Sequence, residues 1–113
     1  ANYALKDNPL LRFAGQLSGV EGYMESTASG LVAAIGLACA LQNKPEPDFT
    51  GATILGALAR HVSTPCANFQ PMNANYGILD PLDVRVKGKR NRYEKLSERA
   101  INVLTEVIEK NEL

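Results

Sequence analysis

The sequence is poor in the residues that carry most protein chemistry. It has one histidine (His61), two cysteines (Cys39 and Cys66) and no net charge over 113 residues. The cysteines lie far apart with no CxxC or Cys/His spacing, so neither a metal site nor a disulfide framework is expected. A reducing, cytoplasmic compartment fits that pattern. Zero net charge excludes nucleic-acid binding by an overall field and leaves only a local patch. There is no G-x-G-x-x-G, and Gly51–Gly56 lacks the lysine of a P-loop, so a complete dinucleotide site cannot be built from this chain. No signal peptide or membrane span is expected. The longest apolar stretch, Ala28–Leu41, holds Ser29, Gly30 and Gly36, is short and alanine-rich for crossing a bilayer, and reads as a buried helix. The chain opens on Ala1 rather than methionine, which points to a fragment boundary.

What is present is an ordinary globular composition, 45% hydrophobic and 21% charged, enough for one modest core. Asn2–Pro9 reads as a lead-in. Leu10–Ala14, between Pro9 and Gly15, fits a short buried strand. A glycine-rich turn, Ser18–Gly22, leads into a helix over Tyr23–Gln42 that is apolar or small on nearly every side. Such a helix needs cover on more than one face, and a chain of this size has too little to give. Pro45 and Pro47 mark a surface turn. Ile54, Leu58 and Val62 predict a second helix over Thr50–Val62. Ser63–Asp83 is a long loop of the kind that is more often functional than idle. The last helix spans about Asn91–Lys110, with Leu96, Ala100, Val103 and Val107 as its stripe, widened by Ile101, Leu104 and Ile108, and Glu106 and Lys110 as an i,i+4 pair.

Three groups of residues could carry function. A strand ending in Gly15, then a glycine turn, then a helix N-terminus, lets backbone amides approach an anion or an electron-rich ring edge. Ser18 and Glu21 stand at capping-box spacing in that turn. The same pattern also serves as a plain strand-to-helix connection in an α/β domain. The second group is basic: Arg85, Lys87, Lys89, Arg90, Arg92 and Lys95 crowd around Tyr93. A solvated face is the bland reading. Cations opening a helix oppose its dipole, however, and make sense if phosphate binds there, so contact with an RNA backbone is the functional alternative. Third, His61 follows a helical apolar face and reads as structural before catalytic. Asn73 and Asn75 suit turn-building before ligand recognition. Cys39 reads as a core residue and Cys66 as an unactivated loop thiol, so no catalytic residue is assigned.

Residues 13–30, FAGQLSGVEGYMESTASG, and 68–82, NFQPMNANYGILDPL, with ILGALARH at 54–61 between them, resemble segments of the folate- and FAD-dependent tRNA uracil-5-methyltransferase family, in its C-terminal part. The resemblance covers essentially the whole chain. The related tRNA-modifying flavoproteins of the wobble-uridine pathway, the glucose-inhibited division protein A group, share the FAGQ strand and turn. They differ at GVEGYMES and lack NFQPMNANYG.

The resemblance implies an α/β, mostly helical fragment, a short strand followed by three main helices, that completes a Rossmann-type FAD-binding domain. Residues 1–48 would be the strand-turn-helix of that domain, and 49–113 a helical extension. It implies that Gly15 and Gln16 meet the FAD ribityl and phosphate region. Gly19, Val20, Glu21 and Gly22 would form the turn beside the isoalloxazine, and Tyr23, Met24 and Glu25 would open the helix facing its pyrimidine edge. Ser26 would satisfy first-turn amides. The implied reaction moves a methylene group from methylenetetrahydrofolate to C5 of a T-loop uridine, with reduced FAD supplying electrons and NAD(P)H regenerating it. The implied partners are tRNA, through Arg85, Lys87, Lys89, Arg90 and Arg92, and the rest of the parent chain. Two other readings stay open: a wobble-uridine flavoprotein, and a flavin-free helical RNA-binding or interaction module.

Overall fold

The computed structural model describes residues 2–113; Ala1, where a fragment boundary was read, lies outside them. The described residues form a mostly helical α/β arrangement. Its strands are β1 (Ala4–Leu5) and β2 (Asn8–Arg12), and its helices are α1 (Tyr23–Leu41), α2 (Ile54–Ser63) and α3 (Lys89–Asn111). Short 3-10 turns lie at Gly15–Ser18 and Tyr76–Ile78.

The amino-terminal segment departs from expectation. In place of a lead-in and one buried strand, β1 and β2 pair antiparallel as a hairpin, with Ala4 opposite Arg12 and a bulge between Ala4 and Leu5. Leu10 and Leu11 are 56% and 45% exposed, not buried. A two-stranded ribbon has too little structure to cover itself, and among the described residues every position of β2 but Arg12 is exposed. The buried guanidinium of Arg12 lies between the hairpin and α1. It donates from Nε to Pro9 O (2.9 Å) and from Nη1 to Asn2 O (3.2 Å) and to Glu46 (2.6 Å).

Helix α1 keeps the expected bounds to within a residue, but its burial is one-sided. Only Ser29, Val32, Ala33 and Gly36 are buried, and Leu31 and Leu41 are more than half exposed. By length and composition this 19-residue helix, with a mean hydropathy of 1.5 over its best window, could cross a membrane. Shortness therefore does not exclude a span. The same composition is what a helix covered by protein on several sides requires.

The predicted start of α2 was four residues early. Phe49–Thr53 forms a tight turn in which Thr53 Oγ1 donates to Phe49 O (2.6 Å) and accepts from Gly56 N (3.1 Å), capping the helix. Helix α3 begins two residues before the expected start, which places Lys89 and Arg90 inside its first turn. Its stripe holds at Leu96 and Val107, both buried, whereas Ile101 and Ile108 are exposed. The expected Glu106–Lys110 pair is not formed; the ion pairs on α3 are Arg90–Glu94 and Lys95–Glu98.

One core joins the parts. Tyr3, Val20, Val32, Ala33, Phe49, Leu58, Ala59 and Val107 make a single cluster, so residues on both sides of Asp48 share it. A smaller cluster of Ala57, Leu79 and Leu96 seats the long loop between α2 and α3.

Candidate functional site

Two distant sequence segments meet at the start of α1. The glycine turn and the 68–82 loop are zipped by an isolated parallel bridge between Val20 and Met72. In it Met72 N donates to Gly19 O (3.1 Å) and Glu21 N donates to Met72 O (3.0 Å). Asn73 Nδ2 donates to Glu21 O at 2.7 Å, and Ala74 N donates to Glu25 Oε1 at 2.8 Å. Asn75 accepts from Gly77 N at 2.9 Å and so does build a turn. Asn73 instead ties the loop across to the glycine turn.

The glycine turn is shaped by its neighbours. Gly19 has φ +104°, and a Cβ there would lie 2.5 Å from Phe69 Cζ, so the ring packs where only glycine leaves room. Phe69 stacks in turn on His61 at 5.4 Å between ring centroids. His61 Nε2 is buried without a hydrogen-bond partner among the described residues. The histidine thus packs against the loop that shapes the turn. Gly15 is not at a strand end but opens a 3-10 turn. Its N–H donates to Ser29 Oγ (2.8 Å), and its carbonyl accepts from Ser18 Oγ (2.7 Å). The capping box of Ser18 and Glu21 is therefore absent, because both residues are engaged elsewhere. Ser29, which also donates to Ser26 O, is the anchor. Its sequence signal was no stronger than that of Ser26 and Thr27, the neighbouring hydroxyls on the same helix.

Helix α1 starts at Gly22 with no side-chain cap. The first-turn amides of Tyr23, Met24 and Glu25 therefore have no side-chain acceptor, and the Glu25 carboxylate is held by Ala74 instead. Ser26 does not cap the turn; its own N–H donates to Gly22 O. Tyr23 and Met24 are 95% and 78% exposed, Gln16 and Glu21 are exposed, and Val20 is wholly buried. The result is a helix end without a side-chain cap, flanked by an exposed aromatic ring and by the Glu25 carboxylate, which lies against Gly22. The amides of that end suit the electron-rich edge of a flavin. Of the residues read from the sequence, Val20 can serve such a ligand only through its backbone.

The basic residues gather at a second place, around the end of the loop and the start of α3. Arg85 and Lys87 lie in the loop; Lys89, Arg90 and Arg92 lie in the first turn of the helix, and all five are exposed. Arg90 reaches Glu94 at 3.6 Å; among the described residues no carboxylate pairs with Arg85, Lys87, Lys89 or Arg92. Lys89 Nζ lies 5.5 Å from the centre of the Tyr93 ring, which meets Tyr76 edge-on at 4.6 Å. Two arginines fix the loop beneath. Arg60 donates to Asp80 Oδ1 (2.7 Å) and to Ile78 O (3.1 Å), and Arg99 donates to the carbonyls of Asp80 and Pro81. Cys66 is exposed and Cys39 partly buried, and neither is in a disulfide. Among the described residues no group of three or more histidine, cysteine or acidic side chains could hold a metal ion.

The family described as "Glucose inhibited division protein A" matches residues 1–45, which end before the 68–82 loop. The curated relatives extend further. "Methylenetetrahydrofolate--tRNA-(uracil-5-)-methyltransferase TrmFO" of Desulfitobacterium hafniense is 52% identical over 107 residues, covering 94% of this chain and 24% of the relative. The proteins of the same name from Halalkalibacterium halodurans and Natranaerobius thermophilus are 47% and 50% identical, covering 96% and 97% of this chain and 25% of each relative. The chain spans about a quarter of the length of the curated relatives it matches. With about half of the residues identical over 94–97% of this chain, the chain matches a fragment of the methylenetetrahydrofolate–tRNA-(uracil-5-)-methyltransferase family.

Proposed function

We propose that the chain forms one wall of the FAD site in a cytoplasmic tRNA methyltransferase that makes 5-methyluridine in the T-loop. Methylenetetrahydrofolate would supply the one-carbon unit, and NAD(P)H would reduce the flavin. The observation that carries this reading is the bonding of the glycine turn to the 68–82 loop, from Val20–Met72 to Glu25–Ala74. It holds the uncapped start of α1 rigidly and leaves Tyr23 and Met24 open to a ligand.

The flavin, when bound, supplies the electron transfer. The chain's own residues bind and orient. The amides of Tyr23, Met24 and Glu25 would face the pyrimidine edge of the ring, where negative charge grows on reduction, and the helix dipole favours that charge. Tyr23 would lie against the ring, and Gly19 and Gly22, at φ +104° and +113°, would shape the turn that presents it. Gln16, exposed on the 3-10 turn, would reach the ribityl and phosphate region. Arg85, Lys87, Lys89, Arg90 and Arg92 would neutralise tRNA phosphates.

The test uses the full-length protein with labelled methylenetetrahydrofolate, a reduced nicotinamide and a tRNA transcript. Label is expected in 5-methyluridine, and none where the T-loop uridines are replaced by cytidine. A flavin-loaded protein that leaves an intact transcript unlabelled would count against the reading.

A further inference from the structure

Two surface hollows, of about 430 and 630 Å³, share Tyr76 and Tyr93 as walls. Arg85 and Arg92 border the first, and Lys89 and Arg90 border the second. The floor of the first is apolar, with Leu79 and Leu96 both buried beneath the rings. This construction is more specific than a basic patch. Phosphate contact alone needs cations on a polar surface; it does not need two tyrosines set at 86° over leucines.

We propose that this aromatic-walled hollow holds one unstacked nucleotide of an RNA, its base against Tyr93 and Tyr76 and its flanking phosphates on Arg85 and Arg92. The proposal rests on the tRNA reading above and deepens it. Charge favours a polyanion, since Arg85 to Lys95 carries six cations and one carboxylate in a chain of zero net charge. The two acids that line the hollows do not oppose this, because Glu94 is paired with Arg90 and Asp80 with Arg60. The apolar floor favours a flat ring over an acidic peptide, which would leave it unfilled. An unpaired nucleotide is required, because a duplex keeps its bases stacked on one another. Lys89, held over Tyr93 only by a cation–π contact, is free to swing to a phosphate as the base takes its place. The Arg60 and Arg99 anchors hold the floor in position before RNA arrives. No uncommitted side-chain amide or carboxylate lines the first hollow, so the site selects an accessible base rather than a particular one.

The full-length protein is titrated against a tRNA transcript carrying a fluorescent adenine analogue at successive unpaired positions. Tyr93→Ala should weaken binding about tenfold with an unchanged salt slope, and should abolish the fluorescence change at one position. Tyr93→Phe should retain both. Arg85→Ala combined with Arg92→Ala should weaken binding and flatten the slope by roughly one to two phosphates. Tyr93→Leu, which keeps the apolar wall and the fold but has no aromatic face, should behave like the alanine variant. Unchanged affinity and fluorescence in Tyr93→Leu, with flavin content and melting temperature preserved, would overturn the site. Equal competition by polyglutamate would overturn it too. Methyl transfer by the unmodified protein reports separately on the enzyme reading: label in tRNA with no effect of Tyr93 removes the nucleotide site alone. A Tyr93-dependent RNA complex with no methyl transfer removes the enzyme reading alone.

Discussion

Gly19 illustrates how one atom's absence reaches the proposed flavin wall. Its φ of +104° is costly for any residue with a Cβ, and the Phe69 ring occupies the space that a methyl would need. Gly19→Ala in the full-length protein should therefore lose about 1–3 kcal/mol of stability and bind less FAD per chain by flavin absorbance. Adding Phe69→Leu should relieve the clash but leave the backbone strain, so rescue should be partial. Full occupancy in the single variant would show that the turn does not depend on this glycine. The glycine was legible in the sequence as part of a turn, but its partner was not. Phe69 is fifty residues away along the chain, and no local pattern pairs the two. Ser29 was hidden for a related reason. A hydroxyl within an apolar helix has no periodicity of its own, and only the fold shows it receiving Gly15 N–H.

At the scale of elements, helices were the most legible part because their apolar spacing repeats. The errors fell at their ends. Thr53 caps α2 where Thr50 was read as its first residue; both are threonines, and only the backbone decides which hydroxyl meets a free amide. The hairpin was missed because β1 is two residues long, below the length at which alternation can be read. What joins the hairpin to the turn after α1 is the Arg12–Glu46 pair, and it gives that junction a pH dependence. The Arg12 guanidinium, bonded to Glu46 Oε1, holds the carboxyl below its ordinary range; burial opposes this more weakly, and Asn2 adds a further bond. Because the folded-state pKa is the lower one, the pair stabilises fully above the unfolded value, about 4.3 for glutamate. That contribution is lost as pH falls through the folded value. Melting temperatures of the full-length protein and Glu46→Gln should therefore differ most near neutrality and converge in acid. A difference that stays constant with pH would show that the pair does not titrate as a clasp.

At the scale of the molecule, the exposed surface is the telling quantity. Its radius of gyration is 14.5 Å, against about 13 Å for a compact domain of this length, and its extents of 45 × 36 × 23 Å describe a slab. Leu31 and Leu41 on α1, with Leu10, Leu11 and Leu17 nearby in sequence, remain open to solvent. Large apolar side chains left open in this number are ordinarily covered by another surface. On the proposed reading, that surface belongs to the dinucleotide-binding half of the enzyme, which would also supply the glycine-rich phosphate loop this sequence lacks. The chain by itself then offers the flavin a ring-edge contact and no pyrophosphate site. Produced alone, residues 1–113 should bind FAD weakly or not at all in equilibrium dialysis and should transfer no methyl group to tRNA. The full-length protein should do both. Tight, stoichiometric FAD on the isolated chain would overturn the one-wall assignment, because an uncapped helix end and one exposed tyrosine cannot by themselves hold a dinucleotide.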